Sequence, residues 1–291
     1  MWFWLALISA ILGAADVILS KKILRGVSPA VLTWFLFVFT IPVLIVLVLL
    51  EGIPILSLYF FIATISSSLI FIFSKTIANS VLKQNLISKI MPLSSFGGLF
   101  TYIFGLIFLS ESIRPVPLLG LFSIVFGAYI LNADQAKEDF FKPFKLVFLK
   151  KESLFFLLAV MMSSLTAILD KSALASTIPN SPIFTMLMEQ TVMSVFLGTY
   201  MLQKEGKTWQ KEIKSNFWLL ALNGIVFLTQ GLFVFYAYDF GGPVALIVGV
   251  RRLQLFLMLL MGYLFFKDKP TKHIWIATAI MILGVLMIKL G

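Results

Sequence analysis

The chain is 291 residues long, 60% hydrophobic and only 12% charged, with a mean hydropathy of +1.03. That much apolar surface exceeds what a soluble core of this length can hide, so an ordinary soluble domain is excluded and a polytopic helical membrane protein is indicated. The net charge of +10 is scattered between apolar runs and forms no basic stripe, which excludes a nucleic-acid partner, and the lack of cysteine excludes disulfides, thiolate metal sites and cysteine nucleophiles.

Ten apolar runs follow in order: 2–20, 29–50, 54–79, 86–109, 115–132, 153–170, 182–203, 216–238, 243–266 and 273–288. The first has no charged region before it and Lys21, Lys22 and Arg25 after it. That is the reverse of a secretory signal, so the run reads as a retained helix. The one long polar connection, 133–152, cuts the chain into a first five-helix repeat (1–133), a polar linker (134–152) and a second five-helix repeat (153–291).

The halves resemble one another at a fixed spacing. Adding 157 carries Ile90 to Ile247, Gly105 to Gly262, Phe108 to Phe265, Glu111 to Asp268 and Gly127 to Gly284, and adding 150 carries Ile18-Leu19-Ser20-Lys21 onto Ile168-Leu169-Asp170-Lys171. An offset held across two helices and their turn is the mark of internal duplication. With an odd number of spans per half, the second half enters the membrane upside down, so the expected fold is all-α with ten transmembrane helices as two inverted five-helix repeats.

Loop charges follow the same inversion. In the first half they collect in loop one (Lys21, Lys22, Arg25) and around loop three (Lys75, Lys83, Lys89). In the second half, loop six has only Lys171, whereas loop seven carries Lys204, Lys207, Lys211 and Lys214. The positive-inside rule then places odd-numbered loops in the cytoplasm and both termini on the outer face of the cell membrane.

Within the ninth run stand Arg251 and Arg252, roughly 12 to 14 Å along a helix counted from Pro243 and so near the middle of a hydrocarbon core about 30 Å thick. Each costs on the order of 2.5 to 3.5 kcal/mol at that depth, so both need a partner or water.

The segments IMPLSSFGGLFTYIFGLIFLSESIRPVPLLGLFSIVFGAYILN and GPVALIVGVRRLQLFLMLLMGYLFFKDKP resemble the two homologous halves of a ten-helix drug/metabolite transporter of the EamA type. The matching features are a helix with Pro92 near its middle, an acidic turn after it (Glu111, Asp268) and a glycine-bearing last helix (Gly127, Gly284). The resemblance implies transport, by export or exchange, through a central cavity among helices one to four and six to nine, with five and ten peripheral. Gly249 stands opposite Pro92 in the second half, a departure that removes any proline-dependent bend there.

Polar residues agree with an enclosed interior. Ser9, Gly13, Asp16 and Ser20 share one helical face, as do Ser163, Thr166 and Asp170, while Ser68, Lys75 and Asn79, Thr185 and Glu189, and Asn223 and Gln230 mark runs three, seven and eight. Runs five and ten have almost nothing of the kind. The candidate substrate-binding residues are Arg251, Arg252, Glu189, Gln254, Asn223, Gln230, Lys75 and Trp34. The arginines either pair permanently or bind a carboxylate or phosphate. Glu189, the one acid near the middle of a run, is a fixed counter-ion, an amine ligand or a coupling site. Lys75 and Lys89 read in the first place as snorkelling to the interface, Trp34 as packing, and Asp16 and Asp170 as solvated near helix ends.

No phosphate loop, His-Glu-x-x-His or Cys-x-x-Cys pattern exists, so no metal, cofactor or catalytic residue is expected. The reading is a secondary active transporter of a small organic metabolite, anionic or zwitterionic, such as an amino acid or organic acid, and not an enzyme. Its partners are the solute, membrane lipids and protons or another coupling solute, and the chain acts as a monomer or weak dimer. A lipid or lipid-linked-group flippase of the same fold and an intramembrane enzyme stand as alternatives.

Overall fold

The computed structural model describes residues 1–85, 91–130, 151–204, 208–258 and 272–291. The predicted linker, but for its last two residues, lies outside these, as do Lys89, Lys207 and Asp268. Among the described residues the helices are α1 (Trp2–Ile23), α2 (Pro29–Glu51), α3 (Leu58–Gln84), α4 (Phe96–Phe108), α5 (Pro115–Ile130), α6 (Lys151–Leu174), α7 (Pro182–Lys204), α8 (Thr208–Asp239), α9 (Val244–Arg251) and α10 (Lys272–Leu290). The all-α polytopic architecture is the one expected. Helices α1, α2, α3, α6 and α8 are each long and apolar enough to cross a membrane.

Helix starts follow the local sequence. Pro29, Pro115 and Pro182 occupy first positions, where the missing N–H is one the helix could not bond anyway. Ser28, Ser57 and Ser181 each stand just before a helix and accept from Val31 N, Phe60 N and Phe184 N at 3.3, 3.3 and 3.2 Å, satisfying donors that the first turn leaves open.

Two boundaries depart from the sequence reading. The third run, read from Pro54, becomes helical only at Leu58, because Ile55 and Leu56 form β1 (Ile55–Leu56), paired antiparallel with β2 (Thr177–Ile178). The eighth run, read from Asn216, starts at Thr208 and extends over 32 residues. At about 1.5 Å per residue that is about 48 Å, longer than the hydrocarbon is thick, so Lys211 and Lys214 ride on helix and not on loop.

The packing repeats itself across the halves. The most extensive contacts are α5 with α10, α3 with α6, α1 with α8, and α2 with α7, followed by α4 with α6, α2 with α8, α3 with α7, α4 with α9 and α1 with α9. Exchanging each helix for the one five places away returns the same set. Large apolar side chains such as Leu49, Phe73, Phe122, Trp218 and Leu286 remain exposed on the outside, the surface that lipid covers.

Helices α5 and α10 meet at backbone distance. A methyl group added at Gly120 would sit 2.5 Å from Gly284 O, and one at Gly284 would sit 2.6 Å from Gly120 O. Neither carbonyl can move without bending its helix. Gly284→Ala is therefore expected to destabilise the protein by about 1–3 kcal/mol, the usual cost of overpacking. A melting temperature in detergent equal to that of the parent protein would refute backbone contact at this seam.

Candidate functional site

A cavity of about 270 Å³ lies between α1, α3, α6, α7, α8 and the end of α9. Helices α2, α5 and α10 supply none of its lining. Of the eight residues singled out from sequence, Arg251, Arg252, Glu189, Gln254, Gln230 and Lys75 line it. Trp34 and Asn223 do not. The indole Nε1 of Trp34 donates to Ser194 O at 3.1 Å and its ring meets Trp209 edge to face at 5.5 Å, so it fastens α2 to its neighbours. Asn223, fully buried, donates to Ser20 Oγ at 3.0 Å, one layer behind the wall.

The arginines stand at an interruption, not in mid-helix as the apolar run suggested. Helix α9 ends at Arg251, and the chain tightens there: Arg252 N bonds Gly249 O at 2.9 Å and Leu253 N bonds Val250 O at 3.1 Å, three residues back. The four-residue spacing returns with Leu257 N to Leu253 O at 3.1 Å. The first half has a counterpart in the tight turn Met91–Ser95 before α4, for the offset of 157 carries Ser94 and Ser95 onto Arg251 and Arg252. The guanidinium of Arg252 lies against Gly97 of α4, where any side chain would displace it. Nε of both arginines is buried without an acceptor, and neither arginine forms an ion pair among the described residues.

Three carboxyls complete the charge. Asp16, only 5% exposed, holds Lys75 Nζ at 3.1 Å, and that ammonium also lies 5.2 Å from the centre of the Phe227 ring. Lys75 does not snorkel, and Asp16 is not left to interfacial water. Asp170 accepts from the Ser67 hydroxyl, and Glu189 lines the same cavity. Glu189 is 3% exposed and its Oε1 has no donor. Asp16, Asp170, Ser67 and Tyr238 are lining residues that the sequence reading left out of the site. The signal for the two aspartates was present in the shared polar faces of the first and sixth runs, and their closeness to helix ends outweighed it.

Beyond Asp170, Lys171 bridges to Glu111 Oε1 at 2.6 Å and donates to Gly242 O at 2.9 Å, while Glu111 Oε2 accepts from Val244 N at 2.9 Å. One carboxylate thereby ties α6 to the N-terminus of α9, where the unbonded N–H groups favour negative charge. At the repeat-related place, Lys21 donates to Asn85 O at 2.7 Å and Leu82 O at 2.5 Å.

Residues 150–290 match the EamA-like transporter family. That match, together with five described helices long and apolar enough to cross a membrane, indicates a multi-pass membrane protein and suggests a small-molecule transporter. No curated protein matches the chain. A solved structure described only as the crystal structure of a protein superposes on 97% of this chain and 97% of its own, with a TM-score of 0.69 and 15% identity, a likeness of fold that spans both halves. The EamA-like half supplies Asp170, Glu189, Arg251 and Arg252, and the first half supplies Asp16 and Lys75.

Removing one member of the Asp16–Lys75 pair strands the other. Lys75→Met or Asp16→Asn is expected to cost about 2–3 kcal/mol, below the 3–5 of a dry pair because the cavity admits water. The double variant should regain at least half. Thermal unfolding of the four proteins in detergent checks this, and equal losses in single and double variants would rule out the pairing.

Proposed function

We propose that the protein is a secondary transporter that carries a small organic anion or zwitterion, such as an organic acid or amino acid, through this cavity by alternating access. The observation that carries the reading is a pair of arginines, adjacent in sequence, lining the cavity with buried Nε groups for which the described residues offer no acceptor. An unpaired guanidinium at membrane depth persists only where water or a ligand solvates it, and its planar fork suits a carboxylate or phosphate. A volume of about 270 Å³ lies just under the roughly 300–1,000 Å³ of drug-sized pockets and fits a metabolite, whereas lipid chains exceed it. Gln230 and Gln254, 6% and 8% exposed, supply neutral donors and acceptors on the same wall.

The repeat-invariant packing supports the alternating-access part. Two halves that make the same contacts in opposite orientation can exchange roles, opening the cavity first to one face and then to the other. In this reading both termini lie on the outer face, the orientation that Lys21, Lys22 and Arg25 after the first run favour.

Purified protein screened by thermal shift against carboxylates, amino acids, phosphorylated metabolites and lipids tests the reading. A bound anion raises the melting temperature by mass action. Arg251→Gln and Arg252→Gln are each expected to weaken that anion about 10- to 150-fold, the worth of a hydrogen bond to a charged group. Stabilisation by lipids alone would replace the solute path with a lipid one, and unchanged affinity in both variants would remove the arginines from the site.

A further inference from the structure

Two neutral side chains meet at one spot on the cavity wall. A methyl group added at Gly13 of α1 would sit 2.5 Å from Gln254 Oε1 and 3.2 Å from Gln230 Oε1, so both amides lie over the bare backbone of this glycine. Gly13, Gln230 and Gln254 all line the cavity, and the two glutamines are 6% and 8% exposed. Among the described residues neither side-chain amide has a hydrogen-bond partner. Buried amides are costly to leave unbonded, so two of them brought to the same place mark a position for a polar atom that comes from outside.

The surroundings of that spot are already settled. One turn before Gly13, Ser9 donates to Gln230 O at 3.2 Å and fixes the backbone of α8 against α1. One turn after it, Asp16 is held by Lys75 at 3.1 Å, which leaves no net charge on this face of α1. The group that suits the two amides is therefore neutral. An amide offers both donors and an acceptor, and a hydroxyl, which donates and accepts at a single atom, can bond both glutamines at once.

The interruption after α9 sets the spot beside the arginines. Arg252 N, Leu253 N and Leu255 N each bond a carbonyl three residues back, at 2.9, 3.1 and 3.0 Å. Where that spacing holds, side chains three apart eclipse and the rise is about 2 Å per residue, so Gln254 stands in line with Arg251 about 6 Å along the axis. A carboxylate on the guanidinium and a hydroxyl on the amides can then belong to one small molecule.

We propose that Gln230 and Gln254, seated side by side on Gly13, form a hydroxyl-binding subsite next to the arginines, and that the solute is a small hydroxy-carboxylate. Gly13 is the positioning residue, because any side chain there would push the amides off their seat. This rests on the reading of the cavity as an anion path, and the test separates the two.

Purified full-length protein in detergent is titrated by calorimetry with lactate, propionate and alanine, which differ only in the group on one carbon, and with malate and succinate. Lactate or malate is expected to bind about 3- to 10-fold more tightly than its unhydroxylated partner, the worth of one neutral hydrogen bond. In Gln230→Leu and Gln254→Leu that preference should fall below about twofold while the unhydroxylated acid keeps its affinity. Gly13→Ala should lose the preference in the same way with its unliganded melting temperature at or above the parent's, since the flexible amides yield and alanine favours the helix. Equal affinity for both members of each pair in the parent protein overturns the subsite and leaves the anion path standing, as does a preference that survives in the double variant Q230L/Q254L. Tighter binding of alanine than of lactate overturns the choice of a hydroxyl in favour of an ammonium group. Failure of every acid to bind overturns the subsite and the carboxylate path together.

Discussion

A charge placed inside a hydrocarbon slab must find either a partner or water, and this constraint organises the molecule. The chain carries two arginines, a lysine and three carboxyls on the wall of one cavity, drawn from α1, α3, α6, α7 and the end of α9 with the interruption after it. No single helix could shelter them, because each presents its polar residues on one narrow face. Turning those faces inward together removes them from lipid and creates the cavity in the same act. What differs among the six is how each is satisfied. Asp16 and Lys75 neutralise each other, Asp170 takes the Ser67 hydroxyl, and among the described residues Glu189 Oε1 and the Nε groups of the two arginines find no partner.

The helix pairing explains how so small a protein builds a site of this kind. Because the contact set is unchanged when each helix is replaced by its counterpart, two copies of one five-helix unit suffice to enclose a space between them. The wall itself is not symmetric. The tight turn of the first half presents Ser94 and Ser95 where the second half presents Arg251 and Arg252. The helix contacts repeat across the halves, whereas the residues lining the cavity do not. The second half, which carries the family match, also carries both arginines, Asp170 and Glu189.

Fold class, helix number and the inward placement of six candidate residues were legible in the sequence, since hydropathy and the 3.6-residue face report burial directly. The interruption at Arg252 was not, because the apolar pattern runs through it unbroken and three-residue hydrogen bonding leaves no compositional trace. Partners were also hidden. Asp16 meets Lys75 across 59 residues, and Ser67 meets Asp170 across 103, distances over which one sequence holds no pairing information. Trp34 and Asn223 sit on the right helices but one layer out, which a helical face about 100° wide does not resolve.

The seam between α5 and α10 bears on how such a molecule could move. Side chains normally cushion helices against one another and permit small slides, whereas Gly120 and Gly284 leave carbonyl against α-carbon with no compressible layer between. Such a joint resists translation but tolerates rotation about the point of contact. Each half owns one of the two helices, and neither helix borders the cavity. In the proposed rocking of the two halves the seam would serve as an axle, a small turn about it being levered into a larger displacement at the cavity.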